Sequence, residues 1–272
     1  MNVFVTPNKL ERNGRFIDTR FDLANLNAGR TLYEQGHIDG AVYWHLEQDL
    51  SDMTKSAGRH PMPEKAVLQQ LFETAGLSYQ DAIYIYDQGG APFASRAWWM
   101  LKYAGFPHVY IVNGGFDGLI EAGFAVSTAI PTYTKTALTI QWVESIYASR
   151  ADVKNIVDGK EQATLLDARS AARYRGEQEP IDPIAGHIPT AKNFDWELVK
   201  DGKTLAPNDT LLQKVAKEEE IVVYCGSGVT ASPLYSVLTE AGYKNVRLYV
   251  GSYSDWITEY DIETGTNEES NK

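Results

Sequence analysis

Short runs of apolar residues alternate with amphipathic stretches along this chain. The clearest run is Ile221–Tyr224, four β-branched or aromatic residues in succession, which predicts a strand buried on both faces. A glycine-rich stretch follows it, and then a stretch of helical composition for which Ser232 is a plausible N-cap, Pro233 the first residue and Gly242 the stop. The pattern therefore predicts a strand, a tight loop and a helix, with Cys225 as the first residue of the loop.

The same pattern occurs twice, in the same order. Four segments of the first half recur in the second: Phe16–Arg20 as Leu165–Arg169, Gly36–Ala41 as Gly186–Ala191, Ile83–Gly90 as Ile221–Gly228, and Val109–Gly114 as Val246–Gly251. The offset is 149 or 150 residues for the first two pairs and 138 or 137 for the last two. This internal repeat predicts two homologous domains, the first with a longer insertion in its middle.

In each copy β-rich segments alternate with helical stretches, which predicts an α/β fold with a parallel sheet flanked by helices. Residues 128–136 have the composition of an extended linker. We therefore expect an N-terminal domain over residues 1–130, a linker over 131–148 and a C-terminal domain over 149–272. The polar tail from Thr264 onward is expected to be disordered. The repeated Asp18–Arg20 and Asp167–Arg169 are expected to form either ion pairs internal to each domain or hydrogen bonds at strand ends.

Composition limits the possible functions. The 272 residues are 43% hydrophobic and 11% aromatic, which is enough to fill the cores of two domains. The formal net charge of −11 argues against nucleic acid and anionic membranes as partners, so an anionic substrate would need local positive groups. The sequence contains no apolar run long enough to span a bilayer and no stretch typical of a signal peptide, so we expect a cytoplasmic protein.

Cys225 is the only cysteine in the sequence, so any group that it accepts must leave to another molecule. Glycines at 226 and 228 allow successive main-chain N–H groups to point into the loop, and the following helix adds the positive end of its dipole. Such a cradle would stabilise a thiolate and make Cys225 a nucleophile. The alternative is a buried, unreactive cysteine. The spacing of the five histidines matches no metal site, and we expect no cofactor.

The segment Cys225–Ala231, Cys-Gly-Ser-Gly-Val-Thr-Ala, resembles the active-site loop of the rhodanese family of sulfurtransferases, in particular its 3-mercaptopyruvate branch. The resemblance implies two tandem rhodanese-like domains. The first would be inactive, because Asp87 stands where the second has Cys225. It also implies that Cys225 takes a sulfane sulfur from 3-mercaptopyruvate or thiosulfate and holds it as a persulfide. The acceptor would be cyanide or a thiol, either thioredoxin-like or of low molecular weight.

The resemblance also implies which residues bind the donor. Arg173 matches a substrate-binding arginine, and Arg175 is a second candidate nearby. An arginine can hold a carboxylate or sulfonate with two parallel hydrogen bonds, although both could instead form surface pairs with neighbouring glutamates. Asp182 departs from the family, because some mercaptopyruvate enzymes have a second arginine there, and this departure argues against strong binding of 3-mercaptopyruvate. Against this, relatives that prefer thiosulfate usually have two basic residues directly after the cysteine, where this chain has Gly226 and Ser227. The loop residues expected to contact the donor are Gly226, Gly228, Val229 and Thr230.

A set of residues that assists proton transfer is implied as well. Ser227 matches the serine of a serine, histidine and aspartate set, His60 matches the histidine, and Glu47 falls at the aspartate. A histidine can relay protons near neutral pH, and a carboxylate can fix its tautomer. His60 could instead cap a loop, and Glu47 could be a surface carboxylate.

Two other functions are alternatives to this one. A cysteine phosphatase or arsenate reductase would need an arginine six positions after the cysteine, where this chain has Ala231. A persulfide carrier or binding module would receive its sulfur from a protein rather than from a small donor. Loading by a protein alone would distinguish the carrier from the enzyme.

Overall fold

The computed structural model describes residues 2–266. Within them the β-strands are β1 (Phe4–Val5), β2 (Arg15–Asp18), β3 (His37–Ile38), β4 (Val42–Tyr43), β5 (Ile83–Tyr86), β6 (Val109–Val112), β7 (Val126–Ser127), β8 (Tyr147–Ala148), β9 (Thr164–Asp167), β10 (Lys192–Asn193), β11 (Lys200–Asp201), β12 (Thr204–Leu205), β13 (Ile221–Tyr224) and β14 (Val246–Tyr249). The α-helices are α1 (Ala28–Gln35), α2 (Lys65–Thr74), α3 (Phe93–Tyr103), α4 (Gly115–Glu121), α5 (Arg150–Val157), α6 (Ala171–Tyr174), α7 (Asp209–Lys214), α8 (Ala231–Glu240) and α9 (Ser252–Trp256). Short 3-10 helices are formed by Pro7–Lys9, Glu144–Ile146 and Trp196–Val199. The predicted disorder of the tail falls, from residue 267, outside the described residues.

The contacts divide the chain into two units. Unit 1 contains the stretch up to Asp52, Pro63–Val143 and Lys200–Leu205; unit 2 contains Met53–Met62, Glu144–Val199 and the stretch from Ala206. Two short segments therefore belong to the unit built mainly from the other half of the chain. The linker expected over residues 131–148 also includes β8, which pairs with β14 of unit 2. The boundaries of the domains stay a prediction.

Each unit contains a five-stranded sheet whose neighbouring strands are all parallel. The strand order is β1–β6–β5–β2–β4 in unit 1 and β8–β14–β13–β9–β10 in unit 2. Equivalent segments of the repeat hold equivalent places in these orders: β5 matches β13, β2 matches β9, and β6 matches β14. The predicted α/β fold, with a parallel sheet flanked by helices in each copy, is confirmed.

The central strands β5 and β13 are buried at all four positions. Ile-Tyr-Ile-Tyr and Ile-Val-Val-Tyr suit this place because β-branched and aromatic side chains fill both faces of a covered parallel sheet. Asp87 follows β5 directly, and Cys225 follows β13. Each therefore lies at the carboxyl edge of its sheet, where ligands of such folds bind.

The helix after the cysteine loop, α8, starts earlier than expected. Thr230 is its N-cap and Ala231 its first residue, so Ser232 was wrongly predicted as the cap. Pro233 is the third helical residue and still lies in the first turn, where its missing N–H has no partner within the helix. Gly242 adopts a φ of +83° just after the C-cap Ala241, as predicted for the stop.

Each unit contains an equivalent buried ion pair. The buried pairs Asp18–Arg20 and Asp167–Arg169 each have an N–O distance of 2.7 Å. Each arginine also donates to a glycine carbonyl at 2.7 Å. The same pair therefore occurs in both units, including the one without a cysteine, which supports the structural role predicted for it. Among residues 2–266, no helix combines the length and apolar character needed to cross a membrane.

Candidate active site

Cys225 begins the loop between β13 and α8 and is only 1% exposed. Its Sγ accepts a hydrogen bond from the main-chain N–H of Gly228 at 3.1 Å. Gly228 adopts a φ of +75°, and a Cβ there would collide with the main chain of Val250, so the turn requires glycine. The N–H donor and the amino end of α8 both favour negative charge on the sulfur.

The main chain of Cys225 is fixed by the segment after β14. Its N–H donates to Ser252 Oγ at 3.1 Å, and its carbonyl accepts from the N–H of Tyr253 at 3.0 Å. Ser252 has a φ of 58°, a left-handed conformation that costs a non-glycine residue about 1 kcal/mol or more. The equivalent residue of unit 1 is Gly115, with a φ of 59°. Serine is thus kept in unit 2 despite this cost, and its hydroxyl anchors the cysteine.

Two guanidinium groups lie beside the loop at Gly226. A Cβ on this glycine would meet Nη2 of Arg59 and would lie 3.4 Å from Nη2 of Arg173. Asp182 binds both arginines: Arg59 Nε donates to its Oδ1 at 2.8 Å, and Arg173 Nη2 donates to its Oδ2 at 3.1 Å. The Asp182 side chain is 1% exposed. This buried carboxylate therefore holds two cations next to the residue that follows Cys225.

Glu179 completes the charged cluster. Arg173 donates to its two carboxylate oxygens at 2.9 and 2.7 Å, and Arg169 Nη1 donates to Oε2 at 3.2 Å. Burial alone would raise the pKa of Glu179, but the hydrogen bonds from Arg173 and from the N–H groups of Asp182 and Ile181 hold it below its usual value. An anionic donor that binds Arg173 must therefore share it with Glu179, a carboxylate that stays ionised.

The segment Met53–Met62 brings His60 to the loop. The N–H of Arg59 donates to Ser254 Oγ at 3.0 Å, which fixes the segment on unit 2. His60 Nδ1 lies 2.8 Å from Ser227 Oγ, and both side chains are buried. The tautomer of His60 decides which of the two donates. The structure thus brings together two residues that are 167 positions apart in the sequence.

The remaining predicted residues have other surroundings. Glu47 lies half-buried in unit 1, where its N–H donates to His45 Nδ1 at 3.1 Å. Arg175 donates to both oxygens of exposed Glu177 at 2.6 and 2.7 Å. The roles predicted for Glu47 in proton transfer and for Arg175 in donor binding stay predictions. The other two loop residues expected to contact the donor are buried Val229 and half-buried Thr230.

The corresponding place in unit 1 is filled by the carboxylate of Asp87. It accepts hydrogen bonds from the N–H groups of Gly89 at 2.8 Å and Ala94 at 3.1 Å. Burial raises the pKa of Asp87 to about 6. The turn between β11 and β12 covers this loop, and the carbonyl of Lys203 accepts from the N–H of Gly114 at 3.0 Å. This loop therefore holds its own anion and is covered by a hairpin.

A family model described as a rhodanese-like domain matches residues 7–122 and 149–259. The chain belongs to the rhodanese family. It is 38% identical over 253 residues to a probable 3-mercaptopyruvate sulfurtransferase of Pseudomonas aeruginosa, with 89% of each chain covered. It is 35% identical over 240 residues to the putative thiosulfate sulfurtransferase SseB of Mycobacterium tuberculosis, covering 84% of this chain and 82% of that one.

The fold agrees with solved rhodanese structures. The 3-mercaptopyruvate sulfotransferase of Escherichia coli superposes with a TM-score of 0.79 at 28% identity, covering 93% of this chain and all of the other. The resemblance inferred from Cys225–Ala231 is therefore confirmed at the level of the family and of both domains.

Sequence reasoning missed Arg59, although it identified the adjacent His60. The family pattern does not point to residue 59, because it has its second arginine nine residues after Arg173, at the position that Asp182 occupies in this chain. The structure shows that Asp182 binds a guanidinium from another segment instead. A charged residue beside a candidate catalytic histidine was the one available hint.

Proposed function

We propose that this rhodanese is a sulfurtransferase that moves a sulfane sulfur from 3-mercaptopyruvate or thiosulfate through a persulfide on Cys225 to a thiol or cyanide. The observation that carries the proposal is the hydrogen bond from Gly228 N–H to Cys225 Sγ, in a loop flanked by Arg59 and Arg173. The names of the relatives from P. aeruginosa and M. tuberculosis support the same activity.

The first step forms a sulfur–sulfur bond. The Cys225 thiolate attacks the outer sulfur of the donor, and the bond from that sulfur to the rest of the donor breaks. The electron pair leaves with sulfite from thiosulfate, or with the enolate of pyruvate from 3-mercaptopyruvate. N–H groups of the loop, among them that of Gly228, stabilise the charge on the persulfide.

The second step returns the enzyme to its starting state. A thiolate or cyanide attacks the outer sulfur of the persulfide, and Cys225 leaves as a thiolate. A protein thiol such as that of a thioredoxin-like partner, or a small thiol, suits this role because the chain has no second cysteine. A cytoplasmic location fits, because thiols are kept reduced there.

Arg59 and Arg173 are proposed to bind the donor. Both 3-mercaptopyruvate and thiosulfate are anions, and two guanidinium groups can bind the oxygens of a carboxylate or a sulfonate. Arg59 supplies the second cation that Asp182 does not, so the departure at Asp182 no longer argues against 3-mercaptopyruvate. Together with the uncharged Gly226–Ser227 after the cysteine, this supports 3-mercaptopyruvate as the better donor. The ratio of kcat/KM for the two donors tests this preference.

His60 and Ser227 are proposed to supply the proton that the enolate requires. The 2.8 Å contact between them gives a path from the imidazole to the loop that holds the donor. Sulfite departs as a stable anion and needs no such proton. The pair should therefore matter for one donor and not for the other.

Mass spectrometry of the intact protein tests the activity. After treatment with either donor, the wild type should gain ~32 Da, the mass of one sulfur, and Cys225→Ser should gain nothing. The gain should disappear on addition of cyanide, with release of thiocyanate. Absence of the adduct with both donors would refute the enzyme, and loading by a protein donor alone would establish a persulfide carrier.

A further inference from the structure

Tyr253 and Phe116 occupy equivalent places in the two units, 137 residues apart. The N–H of Tyr253 donates to the carbonyl of Cys225 at 3.0 Å, and the N–H of Phe116 donates to that of Asp87 at 2.9 Å. Each ring lies under the guanidinium of its domain's buried arginine, at 3.9 Å from the ring centre in both units. The fold therefore needs an aromatic ring at this position but not a hydroxyl.

The hydroxyl of Tyr253 has no hydrogen-bond partner among the described residues, although the side chain is completely buried. A buried donor without a partner lowers stability, so Phe would serve the fold better. The hydroxyl nevertheless occurs in the unit that has the cysteine and is lacking in the unit that has Asp87. This distribution is expected of a group whose partner is a bound molecule.

The surroundings of Tyr253 indicate what that molecule is. Its main-chain N–H donates a hydrogen bond to the carbonyl of Cys225, and its ring lies under the guanidinium of Arg169. Arg169 in turn donates a hydrogen bond to Glu179. Glu179 in turn binds Arg173, one of the two arginines beside the loop. Burial, and the charges of Glu179, Asp167 and Asp182, raise the pKa of Tyr253 to about 12 against the opposing effect of Arg169. The hydroxyl is therefore protonated at neutral pH and can donate to an anion.

We propose that the Tyr253 hydroxyl donates a hydrogen bond to the carboxylate or sulfonate oxygens of the bound sulfur donor, as a third binding group beside Arg59 and Arg173. This inference rests on the proposed function and adds a residue to its donor site. It assigns the hydroxyl to binding and leaves the chemistry of the sulfur to Cys225.

The substitution Tyr253→Phe tests the proposal, because unit 1 already carries Phe at this position. The variant should keep or raise its Tm, since it loses only an unsatisfied donor. Its KM for both donors should rise roughly tenfold or more, the effect of one hydrogen bond to a charged group. Tyr243→Phe is the matched control. Its hydroxyl donates to the carbonyl of Val215 at 2.9 Å, so that variant should lose Tm and keep its KM.

Calorimetric titration of thiosulfate into Cys225→Ser, with and without Tyr253→Phe, measures binding without turnover. Weaker binding by the double variant supports the proposal. The proposal would be overturned if both proteins bind thiosulfate equally and active Tyr253→Phe has an unchanged KM. That result would leave the proposed sulfurtransferase function unaffected. A lower Tm in Tyr253→Phe would also overturn the proposal, by showing that the hydroxyl has a partner within the fold. If Cys225→Ser binds no thiosulfate and the wild type forms no persulfide, both proposals fail.

Discussion

Adding a methyl group at Gly226 should weaken donor binding without unfolding the protein. Gly226 has no positive φ, so alanine fits its main chain, and the new Cβ would meet the end of the flexible Arg59 side chain. Gly228 is the matched control in the same loop. Alanine there would have a φ of +75° and would collide with the main chain of Val250, which cannot move aside.

The magnitudes for the two variants differ clearly. Gly226→Ala should gain about 0.4–1 kcal/mol of stability, because alanine restricts the unfolded chain. It should lose up to about 1 kcal/mol with the contact between part-exposed Arg59 and buried Asp182, because Asp182 keeps Arg173 as a partner. Its Tm should therefore change by less than about 3 °C. Gly228→Ala should lose about 3 kcal/mol or more. Loss of one guanidinium contact to the donor costs about 1.5–3 kcal/mol, so KM for Gly226→Ala should rise roughly 10- to 100-fold.

A double-mutant cycle identifies the cause. If Gly226→Ala acts by displacing Arg59, the change should have no further effect on KM in an Arg59→Ala background. Steady-state kinetics with 3-mercaptopyruvate and thermal unfolding of the four proteins give both quantities. Additive effects on KM, or a Tm loss in Gly226→Ala equal to that in Gly228→Ala, would refute the placement of Arg59 at the donor site.

Three further predictions concern the charged and polar groups. Arg173→Ala should raise the donor KM roughly tenfold or more, and an unchanged KM would remove Arg173 from the site. Ser227→Ala should lower kcat with 3-mercaptopyruvate but not with thiosulfate, and equal losses would contradict a proton relay. Burial raises the pKa of Asp87 from 3.8 to about 6, so the stability this group contributes is present below pH 4 and is lost as the pH rises through 6. Urea unfolding should therefore show that the stability of Asp87→Asn relative to the wild type rises by about 2–3 kcal/mol between pH 4 and pH 7.5, and a constant difference would contradict the raised pKa.

The sheets could be predicted from local pattern because their central strands are short runs of β-branched and aromatic residues. Ile83–Tyr86 and Ile221–Tyr224 have no charged residue, and the repeat of the flanking segments predicts two copies of one fold. The predicted start of α8 was wrong because it relied only on the preference of serine for N-caps and of proline for the first helical position, which Ser232 and Pro233 match. In the structure the helix begins two residues earlier, at Ala231.

The candidate site residues could be predicted only where a motif of the family includes them. Cys225 and Ser227 belong to the loop motif, and the resemblance to the family implied Arg173 and His60. Arg59 could not be found in this way, because its carboxylate partner lies 123 positions further along the chain. Tyr253 was missed for a different reason. Its significance depends on comparison with Phe116 and on a hydroxyl without a partner, and neither feature is a sequence motif.

The placement of Met53–Met62 in unit 2 and of Lys200–Leu205 in unit 1 bears on any attempt to dissect the protein. A fragment starting at Glu144 would retain the nucleophile but lack Arg59 and His60. A fragment ending at Val143 would leave the loop of Asp87 without its covering hairpin. Division of the chain at one position therefore leaves each fragment without a segment of its own unit. Activity would be recovered only when the two fragments are mixed.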